Sequence, residues 1–154
     1  MKMEPKMTVG FTGTRDGLTE EQKTALTAVL DGFEDFDFYH GSCLGADYQA
    51  HQIALTRATS ITALPGHGVN GESPLYFKAE GARIEDPLPY LQRNRRIVDL
   101  TEVLIACPES DEERLRSGTW STVRYARRKS KTLIMIYPSG ATTFHVNQPI
   151  QEIS

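Results

Sequence analysis

The alternation of short apolar runs with helical segments is the feature that most restricts how this chain can fold. Five apolar runs, near residues 8–12, 37–40, 60–64, 103–106 and 132–137, are separated by segments of helical periodicity and by one long loop. This order predicts an α/β fold, in which an open parallel sheet of about five strands carries helices on both faces. In such sheets, ligands bind beyond the carboxyl ends of the strands, near the switch in strand order.

Four helices are predicted between these strands. The first begins after Thr19, which can form a capping box with Gln22, and it ends near Leu30. The others are expected over residues 46–57, 89–100 and 118–129. Residues 66–88 are rich in Gly and Pro and are expected to form a long excursion with a short strand near 82–85, and loops of that length are usually functional.

Length and composition restrict the class of protein. A chain of 154 residues with ordinary hydrophobic and charged fractions suits one domain, residues 1–154. The longest apolar run, Leu133–Tyr137, is too short to cross a membrane, and the first residues lack the apolar stretch of a signal peptide. Because Cys43 and Cys107 are too few for a disulfide framework, we expect free thiols and a cytoplasmic location.

The two parts of the chain differ in charge. Residues 1–90 contain 7 Lys and Arg against 13 Asp and Glu, whereas residues 91–154 contain 10 against 7. All ten basic residues of the second part lie between Arg93 and Lys131. A basic region can attract an anionic ligand, small or polymeric, although a solvated helix face explains any single arginine equally well.

Four segments at the predicted carboxyl ends of strands form the candidate ligand site. Their glycines allow close backbone approach to a ligand, their arginines match phosphate or carboxylate, and amides at a helix N-terminus favour an anion. Neither a Walker A loop nor a GxGxxG segment occurs. The candidate ligand-binding residues are Gly13, Thr14, Arg15, Gly41, Ser42, Gly45, Ala46, Asp47, Arg93, Asn94, Arg95, Ser117, Gly118 and Thr119.

The segment Gly41–His51 has other interpretations besides ligand binding. Asp47 and His51 lie one helical turn apart, so they can form a hydrogen bond that only holds the loop. Cys43 and His51 could instead act as a nucleophile and its base in acyl transfer. These three side chains are too few to predict a metal site, and the motifs predict no metal and no cofactor.

The third helix carries an amide in its apolar face. Leu91, Ile97 and Val98 are predicted to lie on the buried side, with Asn94 in the middle of them. A buried amide is costly unless it is hydrogen-bonded, so Asn94 either ties loops together or meets a ligand.

In this order, the four segments resemble the SLOG superfamily of Rossmann-like proteins, whose members include the DNA-processing protein DprA and the Lonely Guy (LOG) phosphoribohydrolases. The likeness is strongest to the Rossmann-like part of DprA. It rests on the G-x-D and helical A-H of Gly41–His51, on Gln92–Arg95 followed by Ile97 and Val98, and on the S-G-[ST]-x-x-T-x-x-A segment Ser117–Ala126. The resemblance covers about residues 8–138 and leaves residues 139–154 as a C-terminal tail.

The resemblance implies a stand-alone SLOG domain in a homodimer, and with the crossover rule it predicts the spatial strand order 3-2-1-4-5. LOG enzymes resemble PGGxGTxxE, where the Glu is needed to cleave an N-glycosidic bond. In this chain Thr122 stands in the place of that Glu, and Ser117-Gly118 replaces the double glycine. The departure weakens the hydrolase interpretation because the acid/base group is missing.

Three functions are therefore compared. The first is binding of a small nucleotide or nucleotide-derived phosphorylated ligand, with residues 66–88 and Tyr90 or Trp120 covering the base. The second is hydrolysis of an N-glycosidic or phosphoester bond of a nucleotide. The third is DprA-like binding of single-stranded nucleic acid through basic residues of the fourth helix. In the second case a carboxylate must replace the missing Glu, and the candidates are Asp47, Glu72, Glu80 and Glu85.

Overall fold

The computed structural model describes residues 6–68 and 77–146, and over these residues the chain forms nine strands and four helices. The strands are β1 Met7–Gly13, β2 Phe36–His40, β3 Ser60–Ala63, β4 Gly66–His67, β5 Arg83–Ile84, β6 Leu88–Pro89, β7 Val103–Cys107, β8 Thr132–Ile136 and β9 Thr142–His145. The helices are α1 Glu20–Asp31, α2 Ala46–Ala54, α3 Tyr90–Asp99 and α4 Gly118–Arg128.

Seven of these strands form one sheet in the order β5-β3-β2-β1-β7-β8-β9. Every pairing is parallel except that of β8 with β9, and β1 lies in the centre, with Val9 opposite Phe38 and Val103. The α/β class and the order of the five long strands are confirmed. The sheet is wider than about five strands, because β5 extends one edge and β9, within the predicted C-terminal tail, extends the other.

The core divides between the two faces of the sheet. Helices α1 and α2 pack on one face, where Leu26, Leu30 and Ala50 meet the aromatic side chains of β1 and β2. Helices α3 and α4 pack on the other face, where Val98 and Val123 meet residues of β7 and β8. Strands β1, β2, β7 and β8 are covered on both sides, as expected for the interior of a parallel sheet.

The start of α1 has the predicted capping box. Thr19 Oγ1 accepts a hydrogen bond from the Gln22 amide, and the Thr19 amide donates to Gln22 Oε1, both at 3.0 Å. Gln22 is buried, and its side-chain amide also donates to the carbonyls of Pro108 and Ile136. The cap therefore holds α1 against the ends of β7 and β8.

Three local predictions differ from the structure. Helix α2 ends at Ala54 rather than Arg57, because the amides of Arg57 and Ala58 both bond the Ala54 carbonyl and close a turn. Helix α3 begins at Tyr90, one residue after the predicted start. Leu91 is 53% exposed rather than buried, and Arg93 takes the buried position instead. Residues 69–76 of the predicted excursion lie outside the described residues.

Candidate functional site

A cleft of about 650 Å³ lies at the carboxyl ends of the central strands β1 and β7. Its walls come from the turn after β1, the loop after β2, the start of α3, the loop after β7 and the start of α4. Ten of the predicted site residues line it: Gly13, Thr14, Arg15, Gly41, Asp47, Arg93, Asn94, Ser117, Gly118 and Thr119.

The N-terminus of α4 forms one wall of the cleft. Ser117 is the N-cap, and its Oγ accepts a hydrogen bond from the Trp120 amide at 3.2 Å. Across residues 6–68 and 77–146, the amides of Gly118 and Thr119 have no hydrogen-bond partner. A Cβ placed on Gly118 would meet nothing within 4 Å. The geometry leaves two amides and the positive end of the helix dipole facing open space, which suits an anion.

Arg93 is the buried cation beside this cleft, and it is only 5% exposed. One of its terminal nitrogens donates to the Gly41 carbonyl at 2.7 Å and to the Leu64 carbonyl at 3.2 Å, while its Nε donates to Asn94 Oδ1 at 2.7 Å. A Cβ on Gly41 would lie 2.5 Å from the guanidinium. The glycine is therefore required by close approach, and Arg93 joins the loops after β2 and β3 to α3.

Asp47 is buried in the first turn of α2, and it does not form the hydrogen bond with His51 that the sequence spacing allows. Its Oδ2 instead accepts hydrogen bonds from the amides of Gly41 at 3.2 Å and Cys43 at 3.1 Å. Burial raises the pKa of the Asp47 carboxyl, and the positive charge of Arg93 and the two amide donors act in the opposite direction. The carboxylate thus shapes the loop around Arg93.

Two buried histidines form a hydrogen-bonded chain that the sequence did not indicate. The Ser42 amide donates to His40 Nδ1 at 2.9 Å, so the proton of His40 is on Nε2, which lies 2.9 Å from His51 Nδ1. His51 Nε2 then donates to the Glu80 carbonyl at 2.8 Å. This hydrogen-bonded chain links β2 and α2 to the described part of the excursion. There the rings of Phe77 and His40 stack with their centres 5.5 Å apart.

We predict that this histidine chain makes the protein less stable in mild acid. Burial, with the neighbouring His51 and Arg93, lowers the pKa of His40 from 6.5 to about 3. The unfolded chain takes up a proton below pH 6.5 that the folded chain refuses, so stability is complete above that pH and is lost as the pH falls towards 3. The free energy of unfolding should fall by about 1 kcal/mol between pH 7.5 and 5.8.

Urea denaturation at the two pH values measures this change, and both values lie above the range in which exposed carboxylates titrate. His40→Gln should flatten the pH dependence, whereas the same substitution at the exposed His145 should preserve it. Equal pH dependence in the wild type and His40→Gln would show that His40 is not the responsible group.

Cys43 does not have the environment of a nucleophile. Its Sγ lies 3.7 Å from the Gly41 carbonyl and 3.6 Å from an Arg93 nitrogen, and it has no contact with His51. Burial raises the pKa of the Cys43 thiol, Asp47 adds to the increase, and Arg93 opposes it. The Cys43–His51 pair considered as an alternative from the sequence is not formed, and Cys43 and Cys107 are free thiols, as predicted.

Tyr90 lies at the start of α3 and contacts both arginines on this side of the cleft. The guanidinium carbons of Arg15 and Arg93 lie 5.6 and 5.5 Å from the centre of its ring. Arg15 is exposed, so the aromatic contact restricts where its charge can lie. Trp120 is 2% exposed and packs in the core beneath α4, so it is not available to cover a base.

Four predicted site residues lie outside the cleft. Ser42 is buried and its hydroxyl donates to the Phe77 carbonyl. The Ala46 amide donates to the Thr14 carbonyl, and Gly45 has a φ of 91° that favours glycine. The Arg95 guanidinium lies over the ring of Tyr125, 5.3 Å from its centre, on the outer face of α3 and α4. The first three shape the turn, and Arg95 contributes to another surface.

Sequence reasoning missed four charged residues that line the cleft: Asp16, Glu109, Arg114 and Arg116. Asp16 follows the predicted turn after β1. The other three lie in the loop between β7 and α4, which has no periodicity, so only the concentration of charge signalled them. In the described chain, the side chains of Arg114 and Arg116 form no ion pair. Their charges are available to an anion that enters the cleft.

Within the described ranges, no group of three or more His, Cys, Asp or Glu side chains is arranged to hold a metal ion. In the same residues, no helix is long and apolar enough to span a bilayer.

Comparison with solved structures shows the fold. DNA processing protein A from Helicobacter pylori, for which a single-stranded DNA binding mode is described, matches with 22% identity and a TM-score of 0.58, over 84% of this chain and 64% of that chain. DNA processing protein A from Streptococcus pneumoniae matches with 22% identity and a TM-score of 0.61, over 84% of this chain and 50% of that chain. This chain therefore spans half to two-thirds of those proteins.

A molybdenum cofactor binding protein from Rippkaea orientalis matches with 20% identity and a TM-score of 0.62, over 88% of this chain and 78% of that chain. No protein-family model matches the sequence, and no curated protein is significantly similar to it. At these identities the likeness concerns the fold alone. The chain has the Rossmann-like α/β fold that its sequence predicts.

Proposed function

We propose that this protein binds a nucleotide or nucleotide-derived phosphorylated ligand in the cleft between the ends of β1 and β7. The N-terminus of α4 carries the proposal: the amides of Gly118 and Thr119 have no partner within residues 6–68 and 77–146, and they open onto the cleft. A phosphate placed there would accept both amide hydrogen bonds and lie at the positive end of the helix.

The cationic side chains of the cleft support the same ligand chemistry. Arg15, Arg114 and Arg116 line it, and the guanidinium of Arg93 lies in its wall. These groups match the charge of a phosphate, and guanidinium groups bind its oxygens in pairs. The volume of about 650 Å³ lies in the middle of the range for small-molecule sites, so there is room for a sugar and a base beside the phosphate.

The arrangement favours binding over hydrolysis. Thr122, in the place of the LOG glutamate, donates its hydroxyl to the Gly118 carbonyl at 2.9 Å. Asp47 is held by two backbone amides, Glu80 contacts His51 through its carbonyl, and Glu85 pairs with Arg96. Glu72 lies outside the described residues. Of the three candidate carboxylates that the structure describes, only Asp47 lines the cleft, and its hydrogen bonds hold the loop after β2.

A second candidate function is binding of single-stranded nucleic acid on the outer face of α3 and α4. Three cations surround the ring of Tyr125: Arg95 at 5.3 Å, Arg128 at 5.6 Å and Lys129 at 5.5 Å. A basic surface with an aromatic ring suits a phosphate backbone with stacked bases, and single-stranded DNA binding is described for the Helicobacter pylori protein. A steep fall of affinity with salt would support it. We also propose a homodimer, from the resemblance, and a cytoplasmic location, from the low number of cysteines.

We expect Arg15→Ala to weaken the binding of nucleotides but not of nucleosides. The loss should be about fivefold, or ~1 kcal/mol, because an exposed guanidinium contributes less than a buried one to a charge-assisted hydrogen bond. Titration calorimetry with AMP, GMP, CMP and UMP, and with the matching nucleosides, measures the difference. Arg96→Ala is the matched control, because Arg96 is also exposed but faces Glu85 away from the cleft. Equal losses for nucleotides and nucleosides would refute a phosphate contact by Arg15.

A further inference from the structure

Glu109 places a negative charge at the start of α4, in a cleft whose other charged residues are two aspartates and four arginines. It lines the cleft in the loop after β7, and its Oε2 lies 3.4 Å from Ser117 Oγ. Since Ser117 Oγ already accepts from the Trp120 amide, its proton is directed at Glu109. Glu109 forms no ion pair in the described chain, although Arg114 and Arg116 line the same cleft. Its carboxylate therefore lies at the N-terminus of α4 without a cation to neutralise it.

A side-chain hydroxyl opens onto the cleft at the same end of α4. Thr119 is 5% exposed and lines the cleft, and its side-chain oxygen has no hydrogen-bond partner in the parts of the chain that the structure describes. In those parts the buried side-chain atom without a partner is Trp120 Nε1, so the Thr119 oxygen is accessible from the cleft to a polar ligand atom or to water. This observation is independent of the helix dipole, and it places a polar ligand atom close to the amides of Gly118 and Thr119.

We propose that Glu109 is a specificity-determining residue that makes the cleft select hydroxylated sugar phosphates over inorganic phosphate. The inference rests on the proposed function, because it requires a phosphate at the start of α4. Any phosphate at the start of α4 is repelled by the Glu109 carboxylate, and inorganic phosphate can offer that carboxylate only its own P–O–H groups. A phosphate ester that carries a sugar can donate a hydroxyl to this carboxylate, and such charge-assisted hydrogen bonds are short and strong.

The contact with Ser117 alone does not explain why this residue is a glutamate. Ser117 caps α4 through the Trp120 amide, and that bond requires no carboxylate. At 3.4 Å the Ser117–Glu109 contact is long for an O–H donor to a carboxylate. The remaining lone pairs of Glu109 face a cleft wide enough for a sugar. Recognition of the ligand beside the phosphate therefore explains its position better than capping does.

The test compares ribose 5-phosphate with inorganic phosphate on the wild type and on Glu109→Gln. The measured quantity is the ratio of the two affinities, from titration calorimetry at constant ionic strength. We expect the wild type to prefer ribose 5-phosphate. We expect the ratio to fall at least about fivefold in Glu109→Gln, since the neutral amide accepts weaker hydrogen bonds from the sugar hydroxyls, whereas loss of the charge relieves the repulsion of both phosphates alike. Glu112→Gln is the matched control, because it removes the same charge from the exposed part of the same loop.

The outcomes separate this inference from the proposed function. A ratio that falls in Glu109→Gln and holds in Glu112→Gln supports the inference. If Glu109→Gln still binds both compounds and the ratio is unchanged, the inference about Glu109 is overturned. The proposed phosphate site is then still supported. Equal falls in both variants indicate general electrostatics and also overturn it. If the wild type binds neither compound, the proposed phosphate site fails and the inference fails with it.

Discussion

Replacing Arg93 with methionine is expected to lower the free energy of unfolding by about 3–5 kcal/mol. The guanidinium is buried and donates hydrogen bonds to the carbonyls of Gly41 and Leu64. Among the residues that the structure describes, no other N–H group donates to these two carbonyls. It also supplies the positive charge beside the buried Asp47. Methionine fills much of the space but leaves these groups without a donor, so the cost is that of breaking a buried polar network.

Urea denaturation of the wild type and Arg93→Met measures the loss directly. Arg95→Met is the matched control, because Arg95 lies two residues along the same helix with its guanidinium over Tyr125 at the surface. It should change stability by less than about 1 kcal/mol. Comparable losses in the two variants would mean that Arg93 contributes no more than an exposed arginine.

Gly118→Val is expected to reduce nucleotide affinity by at least about tenfold, or roughly 1.4 kcal/mol. A Cβ at this position meets no atom within 4 Å, so the added side chain fits the fold and extends into the space in front of the α4 amides. The unliganded protein should therefore melt close to the wild-type temperature. A phosphate, by contrast, would have to share that space with the two methyl groups.

The steric series Gly118→Ala and Gly118→Val, followed by calorimetry and thermal melts, tests this expectation. The loss of affinity should grow with the size of the side chain. Glu20→Val is the control, because Glu20 is the first residue of another helix, α1, and is exposed without lining the cleft. Wild-type affinity in Gly118→Val would place the phosphate elsewhere.

The sheet could be predicted because each of its long strands is marked by a short run of consecutive residues. The five long strands are compact apolar runs, and Thr19 and Gln22 mark the start of α1 within four residues. The edge strand β9 was not predicted, although the chain turns at Gly140, with a φ of 88°, just before it. Its four residues are mostly exposed, so it lacks the apolar signature of the buried strands.

The site could be predicted only in part because several of its contacts join distant segments. The helical pattern of α3 places Arg93 beside the apolar face, and its burial depends on the space that Gly41 and Gly66 leave in other loops. The bond between His40 and His51 likewise requires β2 and α2 to pack side by side. By contrast, Ser117 and Gly118 were identifiable, since the N-cap and the first residue of a helix are adjacent in the sequence.

An amide NMR titration tests directly whether a phosphate binds at the N-terminus of α4. Nitrogen-15-labelled protein would be titrated with AMP, GMP, CMP and UMP, and in parallel with their nucleosides. We expect the amide resonances of Gly118 and Thr119 to shift most with at least one nucleotide, because only these amides would gain a phosphate acceptor. The matching nucleoside should leave them nearly unchanged. Saturable shifts centred away from the start of α4, or no saturable shift with any of the four nucleotides, would contradict it.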